Sequence, residues 1–259
     1  MIRKTLAFLA ASMLATPALA APIDGTWVAD VNSAQLSAKP KVRSLMGGVY
    51  RCGTCVPAYS VPADGQFHAI KGDPYGTEMS VKAVDARSAA FEYRAKGKPT
   101  GSNVATVSAD GKSIAWSGKS ISDNGTVTAS EQTDVRLAPG PKGSHAISGS
   151  WRNGKVVAMD SKALTVSFKQ SGNMLHMSVP TGESYDAPIG GKPVMIQGDS
   201  SGTMASIRRL SPTSYVESDW LKGKLMSVAT MRIISPTTLT FTMENKLNGR
   251  VTRYTAKKQ

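Results

Sequence analysis

The chain has 259 residues, a formal net charge of +13 and only two cysteines. The length admits two domains of ordinary size. The positive charges are scattered rather than clustered, which fits a solubilising surface or anionic small partners and gives no nucleic-acid footprint. Residues 1–20 read as a secretory leader. Arg3 and Lys4 supply the charged start, Leu6 to Leu14 the apolar stretch, and Ala18-Leu19-Ala20 a small-x-small cleavage site before Ala21. The apolar stretch is too short for a membrane anchor, and no later run of about 18 apolar residues follows, so no transmembrane anchor is expected. No cysteine stands directly after the cleavage point, so no lipid anchor is expected either. The expected location is periplasmic or secreted.

From Ala21 onward strand signals dominate and helical periodicity is nearly absent. Gly25-Thr26-Trp27 opens the first run. Residues 32–44 have no later counterpart and are expected to form a short helix or loop capping a first barrel. Met79, Val81 and Ala83 alternate with Glu78, Ser80 and Lys82, and Ile114 and Trp116 alternate with Ser113, Ala115 and Ser117, as half-buried strands require. Ala138-Pro139-Gly140-Pro141 carries two residues without a ladder donor and reads as a linker over 138–146. Beyond it Leu164, Val166 and Phe168, then Leu239, Phe241 and Met243, alternate in the same way. Asp64-Gly65, Asp110-Gly111, Asn124-Gly125, Asn153-Gly154 and Asn248-Gly249 read as hairpin turns between strands.

The chain is also written twice. Gly76-Thr77 and Gly97-Lys98 return 126 residues later as Gly202-Thr203 and Gly223-Lys224, and Asp73 and Pro62 return as Asp199 and Pro188. Gly25-Thr26-Trp27 returns 124 residues later as Gly149-Ser150-Trp151. A repeat of that length is a whole domain rather than a solenoid unit. The fold class expected is therefore all-β, with two tandem antiparallel up-and-down barrels of about eight strands each, over 21–137 and 147–259.

The two Gly-x-Trp openings, each heading a β-meander, together with Ser108-Ala109-Asp110-Gly111-Lys112-Ser113 and Pro62-Ala63-Asp64-Gly65, resemble exported bacterial lipocalin-like domains whose function is unassigned. The resemblance implies closed barrels that bind a small apolar molecule, and a late Arg packed on the Trp, for which Arg136 and Arg253 are candidates. An eight-stranded barrel either holds one small ligand or is filled by its own side chains.

The two copies share no catalytic set, so the chain is expected not to be an enzyme, and no cofactor or metal is expected. Trp27 and Trp151 are expected to plug barrel ends as packing residues. Eight of the ten methionines after the leader lie in the second copy, and Met suits adaptable apolar surfaces. Candidates for ligand contact are therefore Trp116, Phe168, Met177, Phe241 and Met243. Cys52-Gly53-Thr54-Cys55 has the form of a redox motif but lacks the following helix, and is expected to close a local disulfide. Met174, His176 and Met177 do not share one strand face, which disfavours a copper site. The repeated Gly-Asp pairs fit backbone capping in turns. Three functions remain open. The first is binding of a small hydrophobic or anionic amphipathic ligand. The second is a structural or interaction module of the cell envelope with filled barrels. The third is a thiol-disulfide accessory using Cys52 and Cys55.

Overall fold

The structure is a computed structural model that describes residues 21–72 and 76–259. The leader and Asp73 lie outside the described residues. Twenty strands follow one another as β1 (Gly25–Ala29), β2 (Lys41–Met46), β3 (Val49–Cys52), β4 (Tyr59–Pro62), β5 (Asp64–Ala69), β6 (Glu78–Ala83), β7 (Ser88–Ala95), β8 (Lys98–Val107), β9 (Ser113–Ile121) and β10 (Val127–Pro139), then β11 (Gly149–Met159), β12 (Thr165–Ser171), β13 (Met174–Ser178), β14 (Ser184–Pro188), β15 (Val194–Met195), β16 (Met204–Ser211), β17 (Ser214–Leu221), β18 (Lys224–Ser235), β19 (Thr238–Asn245) and β20 (Arg250–Lys258). The described helices are a 3₁₀ turn at Val31–Ser33 and the single turn α1 at Ser161–Leu164. No helix among the described residues is long and apolar enough to cross a membrane.

The strands form two antiparallel sheets of ten strands each, in the orders β4-β3-β2-β11-β10-β9-β8-β7-β6-β5 and β14-β13-β12-β1-β20-β19-β18-β17-β16-β15. Each sheet curls until its ends nearly meet. In the second, Ser184 and Gln197 exchange both backbone bonds at 2.8 and 3.0 Å, and Gly190 N–H donates to Ile207 O at 2.7 Å. In the first, the end strands β4 and β5 are consecutive in the chain, and β4 lies against β5 and β6. Near-closure hides the edges that an open sheet of this size would expose. The class is as read from the alternation, with ten strands per sheet rather than eight. The extra pairs come from short segments, such as Val194–Met195, whose two residues carry no legible period.

The sheets do not follow the two sequence copies. β1 opens the first copy but pairs with β12 and β20, in the register Trp27 opposite Val166 and Lys258. β11 opens the second copy but pairs with β2 and β10, in the register Trp151 opposite Lys41 and Arg136. The two copies have thus exchanged their first strands. Of residues 32–44, expected as a short helix or loop, Asn32 and Ser33 end the 3₁₀ turn, 34–40 carry the chain from the second sheet across to the first, and 41–44 begin β2. This crossing is pinned by Gln35 pairing with Arg253, by Lys39 Nζ donating to Asn248 O at 2.9 Å, and by Arg250 donating to Lys39 O at 2.8 Å. Residues 138–146 fall within the connection between β10 and β11, two neighbours in one sheet. Pro139 sits at the end of β10 opposite Gly149, where a missing donor is tolerated.

Asn153-Gly154 is not a turn either, but lies inside β11 where the register with β10 slips between Gln132 and Asp134. A Cβ at Gly154 would stand 2.4 Å from Thr133 Oγ1 and 2.9 Å from its carbonyl oxygen, so the close approach of the strands requires glycine. Asp64-Gly65 lies in β5 at a similar irregularity.

Each barrel has its own core. Ile23, Trp27, Leu175, Tyr215 and Leu239 are fully buried in the second, and Val81, Ala89, Ile114, Ile147 and Trp151 in the first. Each buried Leu, Ile or Phe contributes about 1.5–3 kcal/mol. The two tryptophans are held alike, their Nε1–H groups donating to Ile23 O at 2.9 Å and Ile147 O at 3.0 Å. Arg136 lies over Trp151 at 3.9 Å and is tied to the carbonyls of Ala146 and Ser148 at 2.7 Å. In the other barrel Lys258, not Arg253, takes this place over Trp27 at 5.3 Å.

Candidate functional site

The barrel interiors are largely filled by side chains, and the space lies between the barrels. A cavity of about 1230 Å³ opens there. Its first wall uses Pro57, Tyr59, Ile70 and Tyr93 from the first barrel, and its second uses Met177, Ile196, Leu221 and Met226 from the second. The volume exceeds the roughly 300–1,000 Å³ of ordinary small-molecule sites. The barrels touch at its rim. Ser200 donates through its N–H and hydroxyl to the Asp123 carboxylate at 2.5 and 2.8 Å, and Lys96 Nζ donates to Ser200 O at 3.3 Å. Asp199 caps its own turn by accepting from Ser201 N–H at 2.8 Å and Thr203 N–H at 3.2 Å, as the repeated Gly-Asp pairs suggested.

Two carboxyl groups lie deepest in this wall. Along β17, Tyr215, Glu217, Asp219 and Leu221 share one face, because side chains on a strand alternate. Tyr215 and Leu221 are buried core residues, so the same face carries Glu217 and Asp219 inward. Glu217 Oε2 accepts from the Tyr185 hydroxyl at 2.6 Å, and Asp219 Oδ2 accepts from the Ser227 hydroxyl at 2.5 Å. Asp219 Oδ1 is buried with no N–H or hydroxyl donor near it. The neighbouring Glu217 carboxyl acts on the Asp219 carboxyl as a whole. Burial, and then the Asp219 charge, push Glu217 up to about 8. Burial also raises Asp219. Both shifts favour retention of a proton by the pair, which titrates as a unit. Burial and the Glu217 charge likewise hold the Tyr185 phenol well above its usual range, so it stays a donor.

The positions that correspond in the first barrel carry no such pair. At the repeat offset of 126 residues Glu217 and Asp219 correspond to Phe91 and Tyr93. Its own buried charges lie on the strands β2 and β10. Asp134 is fully buried and accepts from Lys41 Nζ, from Arg43 at 3.2 Å and from Trp116 Nε1 at 3.0 Å. Arg43 also lies over the Trp116 ring at 4.6 Å. Burial lowers the Lys41 ammonium despite the Asp134 charge beside it. By strand register the second barrel has Phe168, Ala256 and Phe241 at the places of Arg43, Asp134 and Trp116.

The residues singled out from sequence are scattered by this arrangement. Met177 lines the cavity. Phe168 and Phe241 belong to the second core, where Phe241 stacks on Tyr254 at 4.9 Å. Trp116 is committed to Asp134, and Met243 is exposed. Glu217 and Asp219 were missed, although two carboxylates at the inward positions of an alternating run, where the other copy has Phe91 and Tyr93, are a legible signal.

Cys52 and Cys55 are joined in a disulfide. No helix follows it; Val56 and Pro57 run straight onto the cavity wall and into β4. The loop is also held by Gly53 N–H to Val42 O and Val42 N–H to Thr54 Oγ1, each at 3.0 Å. Closing so short a loop is worth about 2 kcal/mol. Urea unfolding with and without reductant should show that loss. An unchanged midpoint would mean that the two hydrogen bonds alone hold the loop.

No protein-family model matches the chain, and no curated protein matches it in sequence. What the fold and site define is an all-β protein of two nearly closed barrels with a chamber between them.

Proposed function

We propose that this is an exported, non-enzymatic binding protein that holds a small amphipathic ligand in the chamber between its barrels. The observation that carries this reading is the chamber itself, a concave space whose wall combines apolar side chains from both barrels with charged groups at defined places. The resemblance of each repeat to lipocalin-like domains supports binding, but at the mouths of the barrels rather than in their lumens. The leader-like segment at 1–20 and the Cys52–Cys55 disulfide support export. The filled interiors favour a second reading, an interaction module of the cell envelope.

Titration with the neutral fluorophore Nile red separates the two. The binding reading expects saturable one-to-one enhancement, weakened at least about tenfold in Met177→Trp and Met226→Trp, which fill the chamber. Circular dichroism and the unfolding midpoint identify any variant that has not kept its fold. Absence of saturable uptake by the native protein, or equal uptake by folded variants, would favour the interaction module.

A further inference from the structure

The charge of the chamber runs against the charge of the chain. The whole protein carries +13. The chamber is lined by five carboxyl groups, of Asp123, Glu183, Asp199, Glu217 and Asp219, and by three lysines, Lys96, Lys222 and Lys224. Asp123, Glu183 and Asp199 are each occupied by hydroxyl or backbone donors. Glu217 and Asp219 have only one hydroxyl each, from Tyr185 and Ser227. The charged group that acts on them from outside the pair is Asp199, which repels Asp219. Tyr254, packed behind them on β20, is itself pushed up to about 12, first by burial and then by the Glu217 charge. Among the described residues, no lysine or arginine acts on the pair. A buried carboxyl pair without a cationic partner is costly unless it keeps a proton or acquires a cation.

We infer that the chamber takes an amphipathic amine, with its ammonium group between Glu217 and Asp219 and its apolar part against Met177, Leu221, Met226 and Ile196. This rests on the reading of the chamber as a ligand site. An ammonium brings several donors, which would meet the orphan Oδ1 of Asp219 and the inner oxygen of Glu217 together. The three lysines and the Tyr185 hydroxyl stay in place. On binding, the proton retained by the two carboxyls leaves to solvent, because the amine supplies the positive charge it had supplied. Affinity for the amine therefore rises with pH across the range in which the free pair still holds its proton. It levels off once the pair is fully ionised. An alcohol of the same chain length keeps the pair protonated and shows no such rise. A carboxylate of that length meets a third negative charge.

The test is displacement of Nile red by octylammonium, octanol and octanoate at pH 6, 7 and 8, with the native protein, Glu217→Gln and Asp219→Asn. The expected result is octylammonium tighter than octanol by about tenfold or more at pH 8, with octanoate weakest. Its affinity should increase severalfold from pH 6 to 8; in either variant, which leaves a single carboxyl, that rise should vanish and the preference over octanol should fall severalfold. Glu217→Gln mimics the protonated form and keeps an acceptor for Tyr185, so it tests the charge with the packing retained. Equal or tighter binding of octanol or octanoate, or a native preference that survives undiminished in both variants, would overturn the amine while leaving the chamber as a ligand site. Failure of the native protein to take up Nile red at all would instead overturn the chamber reading, and the amine with it.

Discussion

Asp134→Ala is expected to destabilise the first barrel by about 3–5 kcal/mol, the cost of leaving a buried ion pair broken. Asp134 is fully buried and is the shared acceptor for Lys41, Arg43 and the Trp116 indole. Removing its carboxylate strands Arg43 at 9% side-chain exposure with only the Trp116 ring beneath it. Removing both sides of the network should cost far less, because two apolar groups of matched shape need no partner. The second barrel supplies the replacement. Carrying its Phe168, Ala256 and Phe241 into the first barrel means Arg43→Phe, Asp134→Ala and Trp116→Phe together. This triple variant, in which Lys41 keeps Asn153 Oδ1 as its acceptor at 2.8 Å, should recover most of the loss seen in Asp134→Ala alone. Urea unfolding of the single and triple variants checks it. A cost below about 1 kcal/mol for the single variant would mean that the network is solvated and not structural.

Trp151→Ala is expected to cost about 3–5 kcal/mol, as truncation of a fully buried aromatic does. The informative part is where the damage falls. Trp151 belongs to the second sequence copy but is packed in the first barrel between Lys41 and Arg136. Hydrogen exchange should therefore lose protection in strands β2 to β10, while β12 to β20 keep theirs. Trp27→Ala should do the reverse. Loss of protection in β12 to β20 on mutating Trp151 would mean that each copy closes its own barrel.

The β architecture was legible because the period of two is strong where one strand face is buried, as at Leu239 and Phe241. The strand exchange was not. Gly25-Thr26-Trp27 and Gly149-Ser150-Trp151 present the same Gly-x-Trp opening, and both indoles donate to the carbonyl four residues earlier. Nothing local in such a strand says which barrel it enters. The crossings at 34–40 and at α1 decide it, and these contain no glycine and only one proline, Pro40. The proline-rich stretch at 138–146 drew the linker assignment instead, although a proline at a strand end loses little. The candidate site was missed for another reason. A search for residues common to both copies recovers what both barrels need, such as Trp27 with Trp151 and Asp199 in its turn. Glu217 and Asp219 stand where the copies differ, and a buried pair of carboxyls at Phe and Tyr positions is a departure the scaffold does not require.

The most direct test of the central claim is to locate a bound molecule with methyl NMR of methionine-labelled protein during a Nile red titration. Methionines are well spread for this purpose. Met177 and Met226 line the chamber, Met79 and Met231 lie in the two cores, and Met46, Met195 and Met243 are exposed on the outside. Saturable shifts are expected at Met177 and Met226, with Met46, Met195 and Met243 unmoved. Shifts at the outer methionines with Met177 and Met226 silent would contradict the claim, and would place any binding on the barrel surface.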